Sequence, residues 1–275
     1  MALSTMPQLQ ALIFDVDGTL AETERDGHRV AFNRAFAEAG LDWHWSVEQY
    51  GELLTTTGGK ERIYHYLQHR NHIPPEFSGS DPMARIAALH EAKNRHYQDL
   101  LTTGAISLRP GVARLLTEAR DQSLRLAIAT TSTLPNAMAL LEQTLNPGWF
   151  EVIAAGDIVS AKKPAPDIYT YVLDQLQLPP QDCLVVEDSA QGLKAALAAG
   201  LTTLVTANPY TQTDDLSGAA LVVDSLGDPD QPLKILKTAV PALGTPPLIS
   251  MQTVQQIWAA ALGSPVCQFH STHHG

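Results

Sequence analysis

Cysteine is scarce in this chain: 275 residues contain only Cys183 and Cys267, far apart and without metal-ligand spacing. That excludes a disulfide scaffold and a cysteine-based metal centre, so a reduced, cytoplasmic protein is expected. Positive charge is short as well, 18 Lys and Arg against 29 Asp and Glu, for a net charge of −11. Such a balance argues against nucleic acid or an anionic membrane as the main partner. A small phosphorylated ligand stays open, because it needs only a local cluster of cations. No apolar run approaches the roughly 20 residues of a membrane span. Met1–Gln10 lacks the basic, apolar and cleavage regions of a signal peptide. No internal repeat is found, and a monomer is the default expectation.

What the chain does have is apolar content, 44 %, enough for a sizeable core. Short, continuous apolar runs stand at Ala11–Phe14, Leu124–Thr130, Val152–Ala155, Cys183–Val186 and Thr202–Thr206. They read as strands covered on both faces. Helical patterns lie between them at Pro110–Gln122, Pro135–Leu145, Asp167–Leu176 and Ala190–Ala199. This alternation predicts an α/β fold, a doubly wound parallel sheet with a Rossmann-like core. Between about Asp26 and Leu101 no strand pattern occurs, only helical ones at Arg29–Ala39, Val47–Leu54, Arg62–Arg70 and Met83–Leu101, with Pro- and Gly-rich punctuation at Pro74–Pro82. That segment reads as an inserted all-α cap domain. The expected organisation is a core of residues 8–25 and 102–240, a helical cap of 26–101, and a C-terminal extension of 241–275. In the extension the apolar stretch Val254–Leu262 reads as a docking helix followed by a poorly ordered end. The His270, His273 and His274 cluster there reads as tail composition rather than a metal site.

Several predicted strands end in polar residues, and in doubly wound folds ligands bind beyond those ends. The first strand runs into Asp15 and Asp17, followed by Gly18 and Thr19. Paired acids at the mouth of a buried strand repel each other and are costly to desolvate. An Asp-Gly pair is a common turn, but here helical periodicity follows where a hairpin would need a strand. An EF-hand loop needs its glycine at the sixth position, not the fourth. Read singly, Thr130 is a strand-end cap, Lys163 a solvated lysine and Asp188 a helix N-cap. Together, in chain order and each at a strand end, they make a phosphoryl-transfer centre. Asp15 is placed as nucleophile, Asp17 as acid and base, Thr130 as a donor to a phosphoryl oxygen, and Lys163 in SAKKPAPD as the neutralising ammonium. A hard divalent cation, Mg²⁺, is expected there, with Asp188 supplying a second carboxylate beside that of Asp15, and Glu187 next to it.

At these residues the chain resembles the haloacid dehalogenase superfamily. DVDGT matches its first motif, ATTS its second, the lysine of KKPAPD its third and VVEDS its fourth, in order over about residues 9–240. The resemblance implies a phosphoaspartyl intermediate on Asp15, Mg²⁺ on Asp15, Asp188 and the Asp17 carbonyl, and a helical cap after the first strand. GTLAETE, HRVAFNRAF, LLTTTGGKERI, HEAK, ATTSTLPN and KKPAPDIY further resemble the CbbY-type group. That likeness implies a phosphatase acting on xylulose 1,5-bisphosphate, an inhibitor of the carboxylase that fixes carbon in the Calvin cycle. The substrate-binding residues expected on this basis are Asp17, Glu24, Gly58, Gly59, Lys60, Glu61, Arg62, His90, Lys93, Thr130, Thr131, Ser132 and Asn136. ERDGH is one residue longer than the group's usual ExxH, which leaves the role of His28 open. A sugar phosphomutase of the same fold is the near rival. A phosphoreceiver module is the remote one, since its acceptor normally sits on a later strand and it has no cap.

Overall fold

The computed structural model describes residues 7–70, 77 and 81–263. Seven strands form one sheet in the order β3-β2-β1-β4-β5-β6-β7. They are β1 (Ala11–Phe14), β2 (Arg125–Thr130), β3 (Val152–Ala155), β4 (Cys183–Glu187), β5 (Thr202–Thr206), β6 (Leu221–Val223) and β7 (Ile235–Thr238). All neighbours are parallel except β6 and β7. β1 lies between β2 and β4, so chain direction across the sheet reverses beside the strand that carries Asp15 and Asp17. That is where doubly wound folds open a crevice.

Strand period explains the two faces. Leu12 and Phe14 point to one side, with Leu115 and Leu116 of α5 (Val112–Asp121), Leu140 of α6 (Leu134–Thr144) and Val254 and Ile257 of α9 (Met251–Ala261). Ala11 and Ile13 point to the other, under Val172 of α7 (Asp167–Leu176) and Ala195 of α8 (Ala190–Ala198). The expected β-α alternation holds, with ends displaced by a residue or two.

Between β1 and β2 the chain is helical: α1 (Arg29–Glu38), α2 (Val47–Leu53), α3 (Gly59–Gln68) and α4 (Pro82–Thr102). Their shared core is aromatic, with Phe36 and Trp45 meeting edge to face at 4.8 Å between ring centroids. Such a pair adds about 0.5–1.5 kcal/mol beyond its buried area. Asp81 caps α4 by accepting from the Ala84 amide at 2.9 Å. Most of the punctuation expected at Pro74–Pro82 lies outside the described residues.

Four features differ from the sequence reading. β6 and β7 were not expected; one has three residues, and the other is a largely exposed edge. α3 starts three residues earlier than its periodicity suggested, at Gly59 behind the positive-φ Gly58. α9 is longer than the stretch Val254–Leu262, because Ser250 caps it by accepting from the Thr253 amide. Finally, Glu24–His28 forms a π-helical turn in which the Arg29 amide donates to the Glu24 carbonyl. The extra residue of ERDGH is taken up in that turn. Cys267 and the histidines at 270, 273 and 274 lie outside the described residues.

Candidate active site

The sheet's carboxyl edge and the cap enclose a cavity of about 660 Å³. At its floor Lys163 Nζ donates to Asp15 Oδ1 at 2.7 Å, to the Ala129 carbonyl at 2.9 Å and to Glu187 Oε1 at 2.5 Å. Tyr169, on the first turn of α7, also donates to Glu187 Oε1, at 2.6 Å. Asp188 Oδ2 accepts from Asn208 Nδ2 at 2.7 Å. Gly18 passes so close that a Cβ there would collide with Asp188 Oδ2, and its φ of +84° favours glycine independently.

Charge at the floor does not balance. One ammonium faces Asp15, Glu187 and Asp188, whose carboxylate oxygens lie within 4.8 Å of one another. Burial pushes the Asp15 carboxyl up to about 8, although Lys163 pulls it down. Asp188 is raised as well, by burial and then by Asp15 and Glu187. Lys163 is raised despite its burial, because two carboxylates share it. A simple ion pair would lower the acid while raising the base. Here the acid rises too, because burial outweighs the one lysine and Glu187 and Asp17 repel a charge there. With Asp188 alongside, three carboxylates to one ammonium leave a surplus of negative charge. A hard divalent cation matches that surplus. Glu187 already accepts from Lys163 and Tyr169 on Oε1 and from the Asp188 amide on Oε2. It lies beneath the cavity wall, whereas Asp15 and Asp188 line it.

Asp17 is held differently. Thr23 Oγ1 donates to its Oδ1 at 2.6 Å, and Ser132 Oγ donates to Oδ2. His28 Nε2 lies 3.0 Å from Oδ1, so that nitrogen carries the proton. Burial alone would raise this carboxyl, but His28, Ser132 and Thr23 hold it well below the usual range. Thr130 Oγ1 accepts from the Ser132 amide at 3.1 Å and thereby fixes the loop containing Thr131.

The roof is cationic. Arg62 is buried, with Nη1 donating to Tyr50 OH at 2.9 Å and Nε to the Leu53 carbonyl at 3.2 Å. Tyr50 OH donates in turn to Glu24 Oε2 at 2.5 Å. Lys93 is 4 % exposed and sits 5.3 Å from the ring centres of Phe32 and Tyr97. Burial lowers it to about 8, with Glu24 and Asp17 partly opposing. His90 is lowered to about 3 by burial and by Lys93 and Lys60. Lys60 is exposed at the cavity's edge. Core and cap meet where Asn136 Nδ2 donates to Asn94 Oδ1 at 3.0 Å, where Glu61 pairs with Lys162 at 3.4 Å, and where Tyr210 meets Tyr50.

Apart from Glu187, every site residue expected from the sequence lines this one cavity, including Gly58, Gly59, Thr131, Ser132 and Asn136. Sequence reading missed Tyr50, which looks like any core aromatic, and left His28 open. It also missed Asn208, although the strand-end rule that found Asp15 and Asp188 applies just after β5.

This chain belongs to the haloacid dehalogenase-like hydrolases, whose family model matches residues 9–200. Among its relatives is CbbY of Cupriavidus necator, 49 % identical over 228 residues, covering 82 % of this chain and 89 % of that protein. A mutant of CbbY from Rhodobacter sphaeroides, solved in complex with xylulose 1,5-bisphosphate, superposes with a TM-score of 0.72 at 47 % identity, over 79 % of this chain and 95 % of that one. A β-phosphoglucomutase from Clostridium difficile gives 0.64 at 25 %, over 79 % and 92 %.

Proposed function

We propose that the protein is a Mg²⁺-dependent phosphatase that removes one phosphate from a sugar bisphosphate, xylulose 1,5-bisphosphate being the best-supported substrate. The observation that carries this reading is the opposition of Asp15 and Lys163 on the floor to Arg62 and Lys93 in the roof of one cavity. Two anionic ends of one substrate fit such a site. Asn136 Oδ1 and His28 Nδ1 are buried without a protein partner, in keeping with a polyhydroxylated ligand.

In the first step an Asp15 oxygen attacks phosphorus, the bond from phosphorus to the sugar oxygen breaks, and Asp17 protonates that oxygen. Asp17 rests as a carboxylate; the arriving phosphate dianion raises its proton affinity, so that it takes a proton from solvent as substrate binds and returns one to solvent as phosphate leaves. In the second step Asp17 takes a proton from water, the water oxygen bonds phosphorus, and the bond to Asp15 breaks. Lys163 offsets the charge of the attacking carboxylate throughout. Asp15, Asp188 and the Asp17 carbonyl would hold Mg²⁺, with Glu187 orienting Lys163 from below. When bound, the ion neutralises the surplus negative charge and the phosphoryl oxygens. Thr130, Thr131 and Ser132 serve the transferred phosphoryl group. Glu24, the Gly58–Arg62 segment, His90, Lys93 and Asn136 serve the sugar and its second phosphate.

The likeness to a β-phosphoglucomutase keeps the mutase as a second reading. Phosphate release and product identity separate the two on xylulose 1,5-bisphosphate, a pentose monophosphate and a hexose 1-phosphate. We expect phosphate and a monophosphate product from the bisphosphate with Mg²⁺, and no release with excess chelator. An isomerised hexose phosphate without phosphate release would make the protein a mutase. Activity in the cytoplasm as a monomer, clearing a sugar bisphosphate that obstructs carbon fixation, belongs to the same proposal. Among the described residues no helix is long and apolar enough to cross a membrane.

A further inference from the structure

Arg109 lies outside every motif, on the segment that returns from α4 to α5, and is 5 % exposed. Its guanidinium plane is fully engaged. Nε faces Glu22 Oε1 at 3.0 Å. Nη1 donates to the Gly18 carbonyl, to the Thr206 carbonyl at 2.6 Å and to Thr206 Oγ1 at 3.2 Å. Nη2 donates to the carbonyls of Ala207 at 2.9 Å and Asp224 at 2.6 Å.

Three of these contacts lead toward the acidic floor. Gly18 follows Asp17 and packs against Asp188 and Asn208. Ala207 precedes Asn208, whose amide nitrogen donates to Asp188 Oδ2 at 2.7 Å. Thr206 Oγ1 donates onward to the Glu187 carbonyl at 3.3 Å. A single planar fork therefore ties together the loops after β1, β5 and β6 and reaches the end of β4 through the Thr206 hydroxyl, and only a guanidinium has donors enough in one plane. The same residue holds the hinge: its amide donates to the Leu20 carbonyl at 2.9 Å, and Ala21 bridges Leu108 where the two cap connections run side by side.

We propose that Arg109 is a positioning residue for the divalent cation, setting the spacing of the Asp17 and Asp188 loops from the hinge of the cap. The inference rests on the Mg²⁺ reading of the floor. Partners that orient metal ligands are worth roughly ten- to a hundredfold in metal affinity.

The test is calorimetric titration of Mg²⁺ into the full chain without substrate, with melting temperatures and, at saturating Mg²⁺, kcat and KM. Arg109→Lys keeps the charge and loses the fork, and should bind Mg²⁺ at least tenfold more weakly. Thr206→Val removes the link to Glu187 in a chain that retains Arg109, and should weaken Mg²⁺ in the same direction. Arg114 is the control, because it holds the carbonyls of Leu226, Gly227 and Ile249 away from the site. Arg114→Met should lower the melting temperature and leave Mg²⁺ affinity as in wild type. Wild-type affinity in both Arg109→Lys and Thr206→Val, or equal weakening in Arg114→Met, would overturn the proposal. A wild-type chain that takes up no Mg²⁺ would instead overturn the metal reading, and the proposal with it.

Discussion

Lys93→Met should make the protein more stable and less active at once. The wild-type ammonium is 4 % exposed, faces two aromatic rings, and has no carboxylate within ion-pair distance among the described residues. Burial lowers it from 10.5 to about 8. At about 1.4 kcal/mol per pH unit, holding it charged at neutral pH costs roughly 3 kcal/mol. Methionine matches its length, suits the two rings and carries no charge. The lost attraction of the cation to the rings returns about 1–2 kcal/mol. A net gain of about 1–2 kcal/mol remains, which raises the melting temperature by roughly 2–8 °C.

The gain has a definite pH window. Between pH 8 and 10.5 the unfolded chain retains a proton that the folded chain has released, so wild-type stability rises there relative to the variant. The variant's advantage is thus full below pH 8, disappears within about 1–1.5 pH units above it, and reverses by 10.5. Activity runs the other way. A charge-assisted contact to a substrate anion is worth about 1.5–3 kcal/mol, so kcat/KM for the bisphosphate should fall roughly ten- to a hundredfold. Wild-type kcat/KM should decline above about pH 8 as Lys93 loses its proton, a limb that the variant lacks. Thermal melts at pH 7 and 10 and a pH–rate profile check each part. A variant that melts no higher than wild type and keeps its kcat/KM would refute the reasoning.

Asp15→Asn should abolish turnover, because an amide does not attack phosphorus; more than a few per cent of residual activity would remove the phosphoaspartyl step. Asp17→Asn should leave binding in place and slow both steps, so normal turnover would remove its role as acid and base. Lys60→Ala should cost a bisphosphate about tenfold in kcat/KM and a monophosphate little, since only the bisphosphate presents a second dianion to the roof. Arg62→Ala should show the same selectivity plus a lower melting temperature, because Tyr50 OH and the Leu53 carbonyl lose their donor. Equal losses on both substrates would mean that these residues serve the shared reaction centre.

That these side chains converge was legible because strand ends in a parallel sheet are fixed by short apolar runs, and Asp15, Thr130 and Asp188 each follow or end one. The helical insertion was legible because the 76 residues from 26 to 101 carry no strand pattern and leave only helices. Legibility failed where partners are assembled by topology. Arg109 holds carbonyls from three distant segments, and no local pattern announces a carbonyl. Glu187 looked equivalent to Asp188, its neighbour. The two carboxylates lie close together, but Glu187 is engaged by Lys163 and Tyr169 under the floor while Asp188, just past the strand, lines the cavity. β6 and β7 escaped because three residues on one and a solvated edge on the other carry little period.

The π-turn at Glu24–His28 changes what a length difference means for this fold. One residue added inside a regular helix rotates everything beyond it by about 100°. Phe32 and Phe36 would then swing off the aromatic core, and α1 would lose its seat on α4. Widening a single turn absorbs the addition before α1 begins. Glu24 still reaches Tyr50, and His28 still reaches Asp17. The toll falls on Gly27, where a Cβ would stand 2.7 Å from Ile106 Cδ1 and 2.9 Å from Tyr97 Cε2. Length at this hinge is therefore negotiable in steps of one residue, provided that the residue facing Tyr97 has no side chain.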